Sequence, residues 1–182
     1  MSKKNSTARD GLKIKGMFRL QITEDGSTTS SQGLRKANQK VLGDSGWQLN
    51  TITNSGYLNI VNQLGTSLTG SKISHAALGT GGVPNATDTT QSGEVSTNGS
   101  GSVVRAAVTA ATSSTSKTLR HTATFSSAAS FITASATISN IGLWQTSGPT
   151  TASGVLMAGN TYPSSSLATN QNVNITYDII FS

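Results

Sequence analysis

The chain has 182 residues, no cysteine and a formal net charge of +6. No apolar run of about eighteen residues offers a membrane-spanning helix, no apolar stretch follows the opening MSKKNSTARD to form a secretory signal, and disulfide staples and thiolate metal sites are excluded. Ser and Thr together make 55 of the 182 residues while charged residues are only 11%, and Thr, Val and Ile recur at strand spacing, so the composition predicts a folded β protein rather than a charge-rich disordered one.

Residues 1–40 carry Lys3, Lys4, Arg9, Lys13, Lys15, Arg19, Arg35, Lys36 and Lys40 against Asp10, Glu24 and Asp25, a net of +6, so residues 41–182 are neutral. The first ten residues read as a polar tail. From Leu12 to Thr23 the alternation is clean: Leu12, Ile14, Phe18, Leu20 and Ile22 share one face, and Lys13, Lys15, Arg19, Gln21 and Thr23 share the other. Period two over this length predicts a half-buried strand with a basic outer face. Asp25-Gly26 ends it, Gly26–Gln32 is expected to be a loop, and Asp44-Ser45-Gly46 a turn, followed by a short strand with Trp47, Leu49 and Ile52.

One helix is predicted. Thr53, Asn54 or Ser55 can cap it, Tyr57, Leu58, Val61 and Leu64 recur at helical spacing, and Gly65 stops it. Strands are then expected over Ile73–Leu78, Val103–Ala110, Leu119–Phe125, Ala134–Trp144, Val155–Ala158 and Val173–Phe181, with a long polar loop from Pro84 to Gly101. In the last strand Val173, Ile175, Tyr177 and Ile179 define an apolar face. Short strands between turn clusters predict an all-β fold, a β-sandwich or jelly-roll-like module with one short helix and an extended basic N-terminal arm. A less regular β-barrel is the alternative. The expected division is an arm with one strand over 1–40 and the β module over 41–182. No repeat or heptad predicts a fibre shaft.

Motifs that carry chemistry are scarce. Gly43-Asp44-Ser45-Gly46 resembles the nucleophile segment of trypsin-like serine proteases, but Trp47 replaces the second Gly of that motif. His75 and His121 both follow Ser45, whereas that family places His first. The segment is read as a turn. With two histidines and seven carboxylates, a transition-metal site has little material, and the Asp88 loop lacks calcium-loop spacing. Gly79-Thr80-Gly81-Gly82 has neither the Lys-Ser/Thr nor the helix of a phosphate loop, and Glu24 and Glu94 do not supply a glycosidase pair. No catalytic, cofactor or metal residue is assigned, and the chain is not expected to be an enzyme.

The nine cations of residues 1–40 are the candidate docking residues. Phe18, the one aromatic among them, lies on the apolar face of its strand, and no groove-reading helix accompanies the charge. An acidic protein surface is therefore the expected partner, rather than nucleic acid or membrane.

Two stretches carry a family resemblance. ISHAALGTGGVPNATDTTQSGEV, Ile73–Val95, has a short strand, a G-T-G turn, a Pro/Asn/Ala loop with Asp-Thr, and a Glu. TATF (Thr122–Phe125), ISNIGLWQTSG (Ile138–Gly148), GVLMAGNTYP (Gly154–Pro163) and NQNVNITYDIIFS (Asn170–Ser182) follow as closing strands. Together these resemble bacteriophage virion structural proteins, head decoration (cement) or tail-associated β modules, from residue 73 to the end. The resemblance implies a non-enzymatic homo-oligomer, a trimer suited to local threefold positions of a capsid shell. It implies assembly into the virion after synthesis in the bacterial cytoplasm, with the major capsid protein as the first expected partner. A tail, collar or fibre-base component with a receptor- or glycan-contacting face is the alternative.

Overall fold

The computed structural model describes residues 13–24, 40–65, 72–95, 105–113, 115–127, 131, 136–147 and 154–182. In chain order these form β1 (Ile14–Glu24), β2 (Val41–Asp44), β3 (Gln48–Ile52), α1 (Asn54–Gly65), β4 (His75–Gly79), β5 (Ala106–Ala107), β6 (Thr109–Ser113), β7 (Thr118–Phe125), β8 (Ala136–Trp144), β9 (Leu156–Leu167) and β10 (Gln171–Phe181). The described residues form an all-β fold with one helix.

Every strand pairing is antiparallel, in the order β5-β4-β8-β9-β3-β1-β10-β7-β6, with β2 added against β1. The first and last strands of that path, β5 and β6, are separated only by Val108, whose N–H donates to the Ser74 carbonyl at 2.8 Å. One stretch of chain therefore leaves β4 and joins β7, and the sheet nearly closes on itself. The opposite corner is β3: Gln48–Asn50 pair with β1, and Thr51 and Ile52 pair with β9. Strands that switch partners at corners turn an open sheet into a flattened barrel and leave few free edges.

Alternation places the core inside. Phe18, Leu20 and Ile22 of β1 meet Val173, Ile175, Tyr177 and Ile179 of β10, and all seven are buried. Opposite them lie Ala76 and Leu78 of β4, Ile138 and Leu143 of β8, and Tyr162 and Leu167 of β9. β1 and β10 pair along their whole length, from Ile14↔Phe181 to Glu24↔Gln171. The strand within residues 1–40 is thus an interior member of the sheet, between β3 and β10.

The helix begins where expected. Thr53 caps it, its Oγ1 accepting from Gly56 N–H at 3.1 Å and donating to the Leu156 carbonyl at 2.6 Å. The face turned to the body differs from the expected one. Tyr57, Leu58 and Val61 are exposed, while Gly56 is buried and Ile60 packs on the core. A Cβ on Gly56 would stand 2.1 Å from the Met157 carbonyl oxygen. This close approach sets the rotation of the helix and turns its larger apolar side chains outward.

Residues 80–95, expected as loop, cover the outer side of β4 and β8. There Ala77, Trp144 and Leu156 form a second apolar cluster. The Leu156 N–H donates to the Thr89 carbonyl at 2.9 Å and the Asn54 N–H to the Ala86 carbonyl at 2.7 Å, so the loop is tied to β9 and α1.

Candidate functional site

Of the candidate docking residues, Lys3, Lys4, Arg9, Arg35 and Lys36 lie outside the described residues. Lys15 and Arg19 fall on the outer face of β1, alternate to Phe18 and Leu20. Arg19 is engaged: its Nε donates to Asp44 Oδ1 at 2.9 Å and its Nη2 to Oδ2, a fork that holds the Asp44 carboxyl well below the usual carboxylate range. Lys40 lies 3.7 Å from Glu24 with both side chains largely in solvent. Lys13 joins the ends of the described chain through its backbone, exchanging hydrogen bonds with Ser182 at 2.7 and 2.8 Å.

The protease-like segment, expected as a turn, is the end of β2 followed by a turn at Ser45-Gly46, both bound to β1. Ser45 N–H donates to the Leu20 carbonyl, and Ser45 Oγ accepts from Leu20 N–H, each at 2.9 Å. Gly46 has φ +65°, a left-handed conformation that glycine adopts without strain. His75 Nδ1 lies 2.8 Å from Ser74 Oγ. Asp88 Oδ2 accepts from Asn85 N–H at 2.8 Å and closes a local turn. Among the described residues no cluster of three or more His, Asp or Glu is placed to hold a metal.

Under the 80–95 loop lies a buried polar clasp. Arg105 donates from Nε and Nη2 to Glu94 at 2.6 and 2.9 Å, and its guanidinium stacks over Trp144. Trp144 Nε1 donates to Gln91 Oε1 at 3.2 Å, and Gln91 Nε2 to Asn140 Oδ1 at 2.8 Å. Asn140 Nδ2 in turn reaches the Gly82 and Ser92 carbonyls. These bonds fasten the 80–95 segment to the sheet.

Inside the barrel a polar group spans two adjacent cross-strand rows. Across neighbouring strands His121 of β7 pairs with Tyr177 of β10, and Gly16 of β1 pairs with Asn50 of β3. Tyr177 Oη and Asn50 Nδ2 stand 2.8 and 3.3 Å from where a Gly16 Cβ would be. His121 lines a 410 Å³ cavity beneath α1 with Ile60, Leu119 and Ile179. Burial lowers the His121 pKa to about 4 and, with Tyr57 adding to it, raises that of Tyr177 well above the tyrosine range.

The outer face of the β1–β10–β7 sheet holds a different assembly. Leu49, Met17, Asp178, Arg120 and Ala111 form one cross-strand row. Arg120 grips Asp178 through Nε and Nη2 at 2.8 and 2.7 Å. Trp47, 42% exposed, has its ring centroid 5.7 Å from the Arg120 guanidinium carbon. Arg19 and Asp44, two residues further along β1, make the second fork. Beside Arg120 and Asp178 a cleft of 470 Å³ is lined by Thr112, Ser113, Ser116 and Thr118. The sequence places Trp47 in a short strand, at the position of the second Gly of the protease motif, and gives no sign of its exposure. The partners of the forks are 25 and 58 residues apart, so no local pattern shows them.

No family model, curated protein or solved structure matches the chain.

Proposed function

We propose that the protein is a non-enzymatic structural component of a bacteriophage particle, a decoration or cement protein that docks on the shell through its basic N-terminal segment. The observation that carries this reading is the partition of charge. The whole net +6 lies in residues 1–40, and the described carboxylates of the body are all engaged. Asp44, Glu94 and Asp178 are gripped by Arg19, Arg105 and Arg120, and Asp88 is held in its turn. A body whose carboxylates are committed to structural contacts has little acid left for catalysis, and a segment that keeps a cationic excess after Arg19 and Lys40 pair with Asp44 and Glu24 seeks an acidic partner. Apolar contact must supply much of the affinity, and Val41, Leu42, Leu49, Leu58 and Val61 are exposed beyond the basic segment.

A second reading, a tail, collar or fibre-base component, is favoured by the exposed Trp47 beside the Arg120–Asp178 fork. The test is stoichiometry in purified particles. Copies on the order of hundreds per particle fit a shell protein, whereas roughly three to twelve fit a tail or collar ring. Absence from particles excludes both.

A further inference from the structure

The geometry points to a saccharide-binding site on the outer face of β1, β10 and β7, with Trp47 as the stacking platform and the Arg19–Asp44 and Arg120–Asp178 pairs as hydrogen-bonding walls. The ligand it fits is a neutral pyranose unit of a polysaccharide or glycan.

Three features select this chemistry. First, Trp47 is 42% exposed even with the Arg120 guanidinium over one side of its ring. An aromatic face is electron-rich, and the C–H-bearing face of a pyranose is a flat, weakly positive partner for it. Second, each fork is neutral as a pair yet keeps directional groups. Arg19 and Arg120 donate to their aspartates through Nε and Nη2, which leaves Nη1 of each without a partner among the described residues. The carboxylates themselves are committed, since Asp44 also accepts from Gln21 Nε2 and Gly46 N–H and Asp178 is 6% exposed, so the forks offer guanidinium donors. Sugar hydroxyls can accept from these donors while donating to the neighbouring threonine hydroxyls. A phosphate or acidic peptide gains little from cations already answered by aspartates.

Third, the surroundings are hydroxyls and amides at strand spacing. Arg19, Thr176, Thr122 and Thr109 form the next cross-strand row, followed by Gln21, Asn174 and Thr124. The 470 Å³ cleft on the far side of Arg120 and Asp178 is lined mainly by Thr and Ser and offers room for a neighbouring sugar. The sheet holds these groups rigidly: Thr124 Oγ1 donates to Asn174 Oδ1 at 2.8 Å, and Asn174 Nδ2 to Thr23 Oγ1 at 3.2 Å. Groups already in place cost little ordering entropy on binding.

The site does not depend on where in a particle the protein sits, and its test uses the isolated full chain. Trp47 and Trp144 are the two tryptophans. Trp144 is 2% exposed beneath Arg105, so a saccharide reaching Trp47 changes the emission of the exposed tryptophan alone. The probes are neutral hexasaccharides of the gluco, manno and galacto configurations, with an oligoglutamate peptide and inorganic phosphate as charged comparisons. The expected result is saturable quenching or a blue shift by at least one hexasaccharide, with a dissociation constant on the order of 1 mM or tighter. Trp47→Ala should weaken this at least about tenfold by calorimetry, while Trp47→Phe should keep part of it. No response to any hexasaccharide at about 10 mM overturns the proposal. So does equal affinity in Trp47→Ala, or preferential binding of the oligoglutamate, which would make this face a protein-docking surface.

Discussion

The guanidinium carbon of Arg105 stands 3.6 Å from the centroid of the Trp144 ring, and the same guanidinium holds both oxygens of Glu94. The Arg105 side chain is 3% exposed and that of Glu94 14%, so each charge depends on the other. Removing one partner of a buried pair leaves an uncompensated charge and costs about 3–5 kcal/mol. Glu94→Ala should therefore destabilise the protein by about that much in urea unfolding. Arg105→Met combined with Glu94→Leu should cost clearly less, because no lone charge remains. Equal losses in the two variants would show that packing, not charge, dominates the clasp.

Two glycines should resist alanine for different reasons. Alanine is the better helix former, yet Gly56→Ala places a methyl 2.1 Å from the Met157 carbonyl oxygen. The helix or β9 must shift, at about 1–3 kcal/mol or more. At Gly46 nothing lies within 4 Å and only its φ of +65° resists a side chain, so Gly46→Ala should cost about 1–2 kcal/mol. Thermal unfolding of both variants checks the order.

Stability should fall as pH drops from about 7 to 4. Burial lowers the His121 pKa from 6.5 to about 4. Between those values the unfolded chain binds the proton and the folded one does not, so stability is full above 6.5 and is lost as pH falls. Complete passage through this window is worth about 3 kcal/mol. His75, also lowered by burial and by Arg105, acts in the same direction. Asp44 acts in a separate window: its contribution is present above 3.8 and is lost only below it. Urea midpoints measured across pH 4–7.5 should show the slope, and His121→Phe should flatten most of it. An unchanged slope in that variant contradicts the assignment.

β10 lies between β1 and β7 and contributes four fully buried large side chains, Val173, Ile175, Tyr177 and Ile179. Each is worth roughly 1.5–3 kcal/mol, against a total stability of about 5–15 kcal/mol for a domain. A chain ending at Asn172 should not fold cooperatively. A sharp unfolding transition in that truncation, seen by circular dichroism, would contradict the central place of the strand.

The strands with strict alternation were the legible ones. β1 and β10 stand within two residues of their expected bounds because one face of each is wholly apolar. β9 runs to Leu167 rather than Ala158 because Asn160, Thr161 and Pro163 read as turn residues. Pro163 is accommodated where the β8–β9 register shifts between Ile138 and Asn140, a bulge that needs no proline N–H. β2 escaped notice because four residues ahead of a turn show no period. The helix was visible but its inward face was not, since that depends on the contact between Gly56 and the Met157 carbonyl. The arginine–aspartate forks, the Gln91–Asn140–Trp144 network and the exposure of Trp47 arise from strand pairing between distant segments, which composition and periodicity do not encode.

The central claim, docking through the basic segment, is tested most directly by reconstitution. Phage particles lacking this protein are incubated with purified wild-type chain or with a variant in which Lys3, Lys4, Arg9, Lys13 and Lys15 are all changed to Glu. Arg19 is spared, because its fork with Asp44 belongs to the sheet. Removing residues 1–40 outright is no substitute, since it takes β1 from the core. Exposed charge pairs contribute only about 0–1 kcal/mol each, so the reversals are combined. Bound copies per particle are counted at low and moderate salt, with folding of the variant verified by its unfolding transition. The account predicts near-saturation by the wild type, weakening with salt, and little binding by the folded variant at either salt. Wild-type occupancy by the folded variant at both salts would contradict it.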